Sequence, residues 1–180
     1  MASDVLKPKN VKFIVVHCSD TPDNPSSRWY NMGVKVLDEW HKIRFAPVCD
    51  HGVKKYVGYH IIIKKDGTIE KGRGEEFRGK QATGFNWRSI SICVIGRGRA
   101  TFTGSMFSES AGGIDDVCTM AQKETLNSEI ARLMSKYGVP INNVIGHHDT
   151  YPMRGKKIVK TCPGFSIHKH LTGNFFSWES

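Results

Sequence analysis

Two places in this chain of 180 residues set imidazoles at the ends of extended apolar segments. His17 closes the run 12–17 (KFIVVH), and the pair His147-His148 follows 143–146 (NVIG). A thiol, Cys162, lies in the basic loop beyond them. Side chains at the ends of neighbouring strands converge even when far apart in the chain. Two imidazoles and one thiolate suit a borderline-soft cation such as zinc. Three protein ligands leave the fourth tetrahedral position to water, the arrangement of a hydrolytic site. Either member of the His147-His148 pair satisfies this reading, because adjacent residues on an extended chain face opposite ways.

Other chemistry-bearing residues read differently. Cys93, inside the apolar run 89–95, and Cys118, beside Val117 and Met120, have the setting of small buried hydrophobes. Strand alternation turns Cys18 away from His17. Cys49 and His51 form a pair in a loop, with no third ligand suggested nearby. Five cysteines is an odd number and argues against a disulfide framework. Gly96-Arg97-Gly98-Arg99 lacks the spacing of a dinucleotide fingerprint, no phosphate-binding P-loop is present, and Ser105 and Ser108 have no G-x-S-x-G elbow.

The elements that must position these residues follow from hydropathy patterning. Strands are expected over 12–17, 58–64, 68–71, 89–95 and 143–146, and Asp66-Gly67 is a hairpin signal between the second and third. Val34, Leu37, Trp40 and Ile43 recur every third position and predict a helix over 33–44. A longer helix is expected over about 115–137. Leu126, Ile130, Leu133, Met134 and Tyr137 would line one face, Asp115 and Asp116 favour its start, and Gly138-Val139-Pro140 stops it. Cys162-Pro163-Gly164 opens a short last helix, followed by an aromatic tail with Phe175, Phe176 and Trp178. The stretches 19–27 and 46–57 read as loops, and 97–116 as a long insertion. The fold class is α/β, a single domain with a central mixed sheet flanked by helices. Residues 1–10 form a polar arm and 11–180 the domain proper.

Composition bounds the partners. With 39 % hydrophobic and 24 % charged residues the chain is globular. Its longest apolar runs, 13–16 and 92–95, fall far short of the roughly 20 residues of a membrane span, so no membrane insertion is expected. The first ten residues lack the apolar stretch of a secretory signal. A net charge of +9 suits a polyanion, whether nucleic acid, membrane surface or cell wall. Aromatics interleaved with a basic stripe are not evident, which ranks direct nucleic-acid binding last.

Four blocks occur in order: IVVHCSDTP, VGYHIIIKKDGTIEKGR, GFNWRSISICVIG and GHHD…KTCPGF. Together they resemble the N-acetylmuramoyl-L-alanine amidase type 2 family, the zinc amidases shared by the lysozymes of T-odd coliphages and the peptidoglycan recognition proteins. The match to the phage lysozymes covers about 11–172. The resemblance implies an amidase/recognition-protein-like fold, one zinc ion, and His17, His147 and Cys162 as its ligands. It implies catalytic roles for Tyr59 and Lys160, and substrate contacts from Gln81, Asn86 and Trp87. The implied reaction is hydrolysis of the amide between N-acetylmuramic acid and the L-alanine of the stem peptide. An endolysin of this kind, a monomer, is made in the host cytoplasm and reaches the wall after holin action or lysis.

Two departures from the family pattern stand out: Gln81 where relatives commonly carry His, and a lengthened loop over 150–161. A binding module that grips muropeptides without cutting is the rival reading. Such binders generally lose a metal ligand, and Cys162 is present here. The phage lysozymes in the family also bind the phage RNA polymerase, and the arm 1–10 is where such a contact would lie.

Overall fold

A computed structural model of the chain describes residues 4–97, 113–158 and 160–173. Strands β1 (Phe13–Cys18) and β6 (Ser89–Val94) are buried at every position, as parallel strands covered on both faces must be. Around them lie β4 (Ile61–Ile63), β5 (Ile69–Lys71) and β7 (Val144–Gly146). The order is β5-β4-β6-β1-β7, parallel throughout except for β5, which returns antiparallel to β4 across the Asp66-Gly67 turn. This is the mixed sheet expected.

Alternation along the two central strands divides their side chains. Ile14, Val16 and Cys18 of β1, with Ile90, Ile92 and Val94 of β6, join Leu126, Ile130 and Leu133 of helix α2 (Met120–Tyr137) in the main core. Phe13 and Val15 pack on the opposite side with Ala82, Phe85 and Ile145. The register sets His17 beside Cys93, and Ser89 and Ser91 beside Phe13 and Val15, on that same side.

Several expectations about the elements are corrected. Helix α2 starts at 120 rather than 115, because Thr119 and Gln122 form a capping box in which each side chain accepts from the other's backbone N–H at 3.1 Å. Gln122 Nε2 also donates to the carbonyls of Ile63 and Ile95, tying the helix start to the ends of two strands. Helix α1 (Val34–Lys42) buries only Leu37 of its expected stripe, while Trp40 is 37 % and Ile43 89 % exposed. A spacing of three residues precesses by about 60° per step around an α-helix, so the stripe walks off the buried face.

The loop 46–57 contains a hairpin of β2 (Val48–Asp50) and β3 (Val53–Lys55), which turns at His51 and Gly52 with both φ positive. The last helix, α3 (Ile167–Thr172), starts beyond Cys-Pro-Gly with Ser166 as its N-cap. The polar arm is laced to the domain over its described part. Leu6 is buried and donates to the Glu76 carbonyl, Val5 bridges Phe77, and the Asp4 carbonyl accepts from Arg78 N. Most of the insertion, 98–112, and the aromatic tail lie outside the described residues. Among the described residues no helix is long and apolar enough to cross a membrane.

Candidate metal centre

Parallel pairing of β1 with β7 sets Gly146 beside Val16, so His147 leaves its strand next to His17. The two imidazole centroids are 4.6 Å apart. Cys162 Sγ comes to 3.7 Å from His17 Nδ1. One donor atom from each of His17, His147 and Cys162 lies within 4.8 Å of the others. His148 is not in this group. Its backbone N and its Nδ1 each lie 2.9 Å from the Cys162 carbonyl oxygen, and its Nε2 lies 3.0 Å from Asp149 Oδ1. The turn needs glycine, since a Cβ at Gly146 would meet His148 Cε1 at 2.7 Å and Pro163 Cδ at 2.8 Å.

Burial and close neighbours set the protonation of the trio. Burial holds the His17 imidazole well below the ordinary histidine range, helped by the neighbouring His147. His147 is pushed down to about 4, by burial first and then by the charge of Lys160. Both rings are therefore neutral near pH 7, the form a metal ligand needs. A hydrogen bond with Cys18, then burial, pushes the Cys162 thiol well up. A cation among the three donors would reverse that balance and favour the thiolate. Cys18 N already donates to Cys162 Sγ at 3.3 Å. Two neutral imidazoles and a thiol that accepts a hydrogen bond fit the donor chemistry of zinc.

Tyr59 lies against this group, its ring centroid 5.0 Å from that of His17. Alternation from Ile61 and Ile63 would put it on the main-core face. It instead packs with Met32, Leu37, Val57 and Ile62, because β4 begins only at Ile61 and the residues before it are irregular. Burial pushes its phenol well above the usual range, so the hydroxyl keeps its proton. Lys160 is exposed, and its charge acts on both His17 and His147.

The three expected substrate contacts are placed differently from one another. Gln81 turns its carboxamide to His17, with Oε1 2.6 Å from His17 Nε2, and to Ser89. Asn86 Oδ1 accepts from the backbone N–H groups of Gln81 and Ala82 at 2.9 and 3.0 Å, which shapes the loop that carries Gln81. Trp87 is 42 % exposed, with the Arg78 guanidinium 4.4 Å from its ring centroid.

Sequence reasoning missed the frame behind these residues. From α1, Asp38 accepts from Tyr56 N and Val57 N, and His41 Nδ1 accepts from Gly58 N at 2.9 Å. Arg73, 1 % exposed, donates to the carbonyls of Tyr56, Val57 and Arg78, so one guanidinium binds the segment before Tyr59 to the segment before Gln81. Gly58 and Lys80 close the same seam, where a Cβ on Gly58 would meet the Lys80 carbonyl at 2.3 Å. His60 spans it too, with Nδ1 accepting from Ser91 N at 3.0 Å and Nε2 2.9 Å from the Phe77 carbonyl. The available signal was Ser89 and Ser91 alternating with isoleucine in a buried strand, which demands hydrogen-bonding partners on that face. Near the hairpin, Asp50, His51 and Glu76 also bring donor atoms together, but Lys55 already pairs with Asp50 at 2.6 Å.

Comparison with known proteins adds an independent line. The family model described as N-acetylmuramoyl-L-alanine amidase matches residues 7–165. The endolysin of Enterobacteria phage T3 is 35 % identical over 170 residues, covering 94 % of this chain and 91 % of the relative. That of Escherichia phage T7 is 35 % identical over 156 residues, covering 87 % and 82 %. Among solved structures, the endolysin N-acetylmuramoyl-L-alanine amidase LysCS from Clostridium intestinale URNW superposes with a TM-score of 0.60. Its identity is 27 %, and the match covers 96 % of this chain and 90 % of that one.

Proposed function

The chain belongs to the N-acetylmuramoyl-L-alanine amidase family and is a peptidoglycan amidase of the phage endolysin kind, and from that premise we propose how its residues divide the work. His17, His147 and Cys162 hold one zinc ion, a reading supported above all by the convergence of their donor atoms at the strand ends. When bound, zinc supplies Lewis acidity, which polarises the scissile carbonyl and lowers the pKa of a water towards about 7. The bond broken is the amide between the lactyl group of N-acetylmuramic acid and L-alanine.

Lys160, whose charge reaches both ligand histidines, stabilises the negative charge that grows on the carbonyl oxygen as the centre becomes tetrahedral. Tyr59 keeps its proton and donates a hydrogen bond to the same developing oxyanion or to the attacking water. Trp87 and the surface around Asn86 contact the muropeptide. The enzyme acts on the cell wall, reached after synthesis in the cytoplasm through a holin or lysis, and the +9 charge suits that anionic substrate.

Purified peptidoglycan tests the reading. Chelated protein should release no stem peptides, and stoichiometric zinc should restore release. Release that persists undiminished in the chelated, zinc-free protein would sink it.

A further inference from the structure

We propose that Gln81 is a positioning residue: it holds His17 in the one tautomer and ring rotation that turn Nδ1 towards Cys162 and His147. This rests on the proposed ligand set and deepens it.

The inference follows from a chain of hydrogen bonds with only one consistent direction. Ser89 Oγ donates to the Phe85 carbonyl at 2.8 Å, which uses its single hydrogen. Towards Gln81, 2.8 Å away, the Ser89 hydroxyl can therefore only accept, so the amide nitrogen of Gln81 faces it. The other end of the amide, the carbonyl oxygen, then faces His17 Nε2 at 2.6 Å. A carbonyl oxygen cannot donate, so His17 Nε2 carries the hydrogen. In a neutral imidazole that leaves the lone pair on Nδ1, the atom 3.7 Å from Cys162 Sγ.

The chain is anchored at both ends. Ser89 is fully buried at the start of β6. The backbone of Gln81 is fixed by Asn86 Oδ1, which takes both its N–H and that of Ala82. Rotation of the imidazole by a half-turn would place a carbon where Nδ1 now stands and would strand the Gln81 oxygen without its donor. Outer partners of this kind orient metal ligands, and their loss typically costs about 10–100-fold in metal affinity or activity. An amide does so without adding a negative charge to the site, which distinguishes Gln81 from a carboxylate partner.

The test uses the full chain with 15N-labelled histidine. In the metal-free protein near neutral pH, long-range 1H–15N correlation should show His17 as the single Nε2–H tautomer. Gln81→Met, nearly isosteric but unable to accept in this geometry, should show a mixture of tautomers. Its zinc affinity by chelator competition should be about 10–100-fold weaker. Gln81→Glu keeps an acceptor and should restore both the tautomer and the affinity to within a few-fold. Should Gln81→Met fail to fold, Ser89→Ala carries the test, since loss of the orienting hydroxyl frees the amide to turn over and should also mix the tautomers. A folded Gln81→Met or Ser89→Ala with a pure Nε2–H His17 and unchanged zinc affinity would overturn the proposal. The two readings separate cleanly. If the tautomer responds to Gln81 while added zinc leaves the His17 resonances unmoved, the ligand set fails and the positioning role stands.

Discussion

One pair of strands serves two surfaces that differ in kind. Towards α2, the register stacks Ile14 on Ile90, Val16 on Ile92 and Cys18 on Val94, and the packing there is apolar, with the buried Gln122 of α2 bonding the strand-end carbonyls of Ile63 and Ile95. On the opposite side the same strands offer Phe13 and Ser89, Val15 and Ser91, His17 and Cys93. There each buried polar side chain has a named partner: Ser89 with Gln81, Ser91 with His60, and His17 with Gln81. Apolar burial needs only area and shape, whereas buried polar groups need partners in fixed directions. The second surface therefore requires a layer of its own, the segments 56–60 and 77–86, stitched by Arg73, Gly58 and His60. One side of the sheet is held by apolar packing, and the other adds to its apolar clusters a set of directed, buried hydrogen bonds.

That contrast can be broken most sharply at Cys162. Cys162→Ser should lose its zinc by metal analysis and its turnover by about 10³-fold or more, with the metal-free protein folded much as before. Its companion Lys160→Ala should keep the ion and still lose about 10²–10³-fold in stem-peptide release. Normal zinc binding by the serine variant would show that the ligand set is wrong.

On the other side, Leu126→Ala should lower unfolding stability by about 2–5 kcal/mol in denaturant titration and leave the zinc stoichiometry unchanged. A leucine-to-alanine variant that shed zinc but kept its stability would erase the distinction between the surfaces.

The smallest effect is a dependence on acid. Burial pushes His60 down to about 4 from the ordinary 6.5, so the unfolded chain takes up a proton before the folded one does. The stability His60 contributes is full above about pH 6.5 and is lost as the pH falls towards 4, with a slope of at most about 1.4 kcal/mol per pH unit for one proton. His60→Gln should flatten that part of a Tm-against-pH curve, and an unchanged slope would refute the assignment.

What could be read in advance follows the same division. Strands β1 and β6 were legible because both are unbroken buried runs, and side chains converge at the ends of such strands, so His17, one member of the His147-His148 pair and Cys162 could be proposed together from position. The choice of His147 over His148 could not, since it depends on the turn at Gly146 and on the Cys162 carbonyl. Helix α1 was found but its buried face was misjudged, because a three-residue spacing drifts around the helix. The frame of Arg73, His60, Gln81 and Asn86 left no periodic trace. Its bonds join side chains to backbone across irregular segments, and neither hydropathy nor propensity records those.

The grip of His148 on Cys162 has a consequence for how this chain can change. Two hydrogen bonds from one residue to one carbonyl close the intervening segment at its neck, independently of what lies between. Once a loop's ends are fixed, doubling its length costs only about 0.6 kcal/mol in closure entropy. The basic stretch 152–157, short of Lys160, is thus open to replacement. Residues can be added or exchanged there while His147 and Cys162 keep their separation.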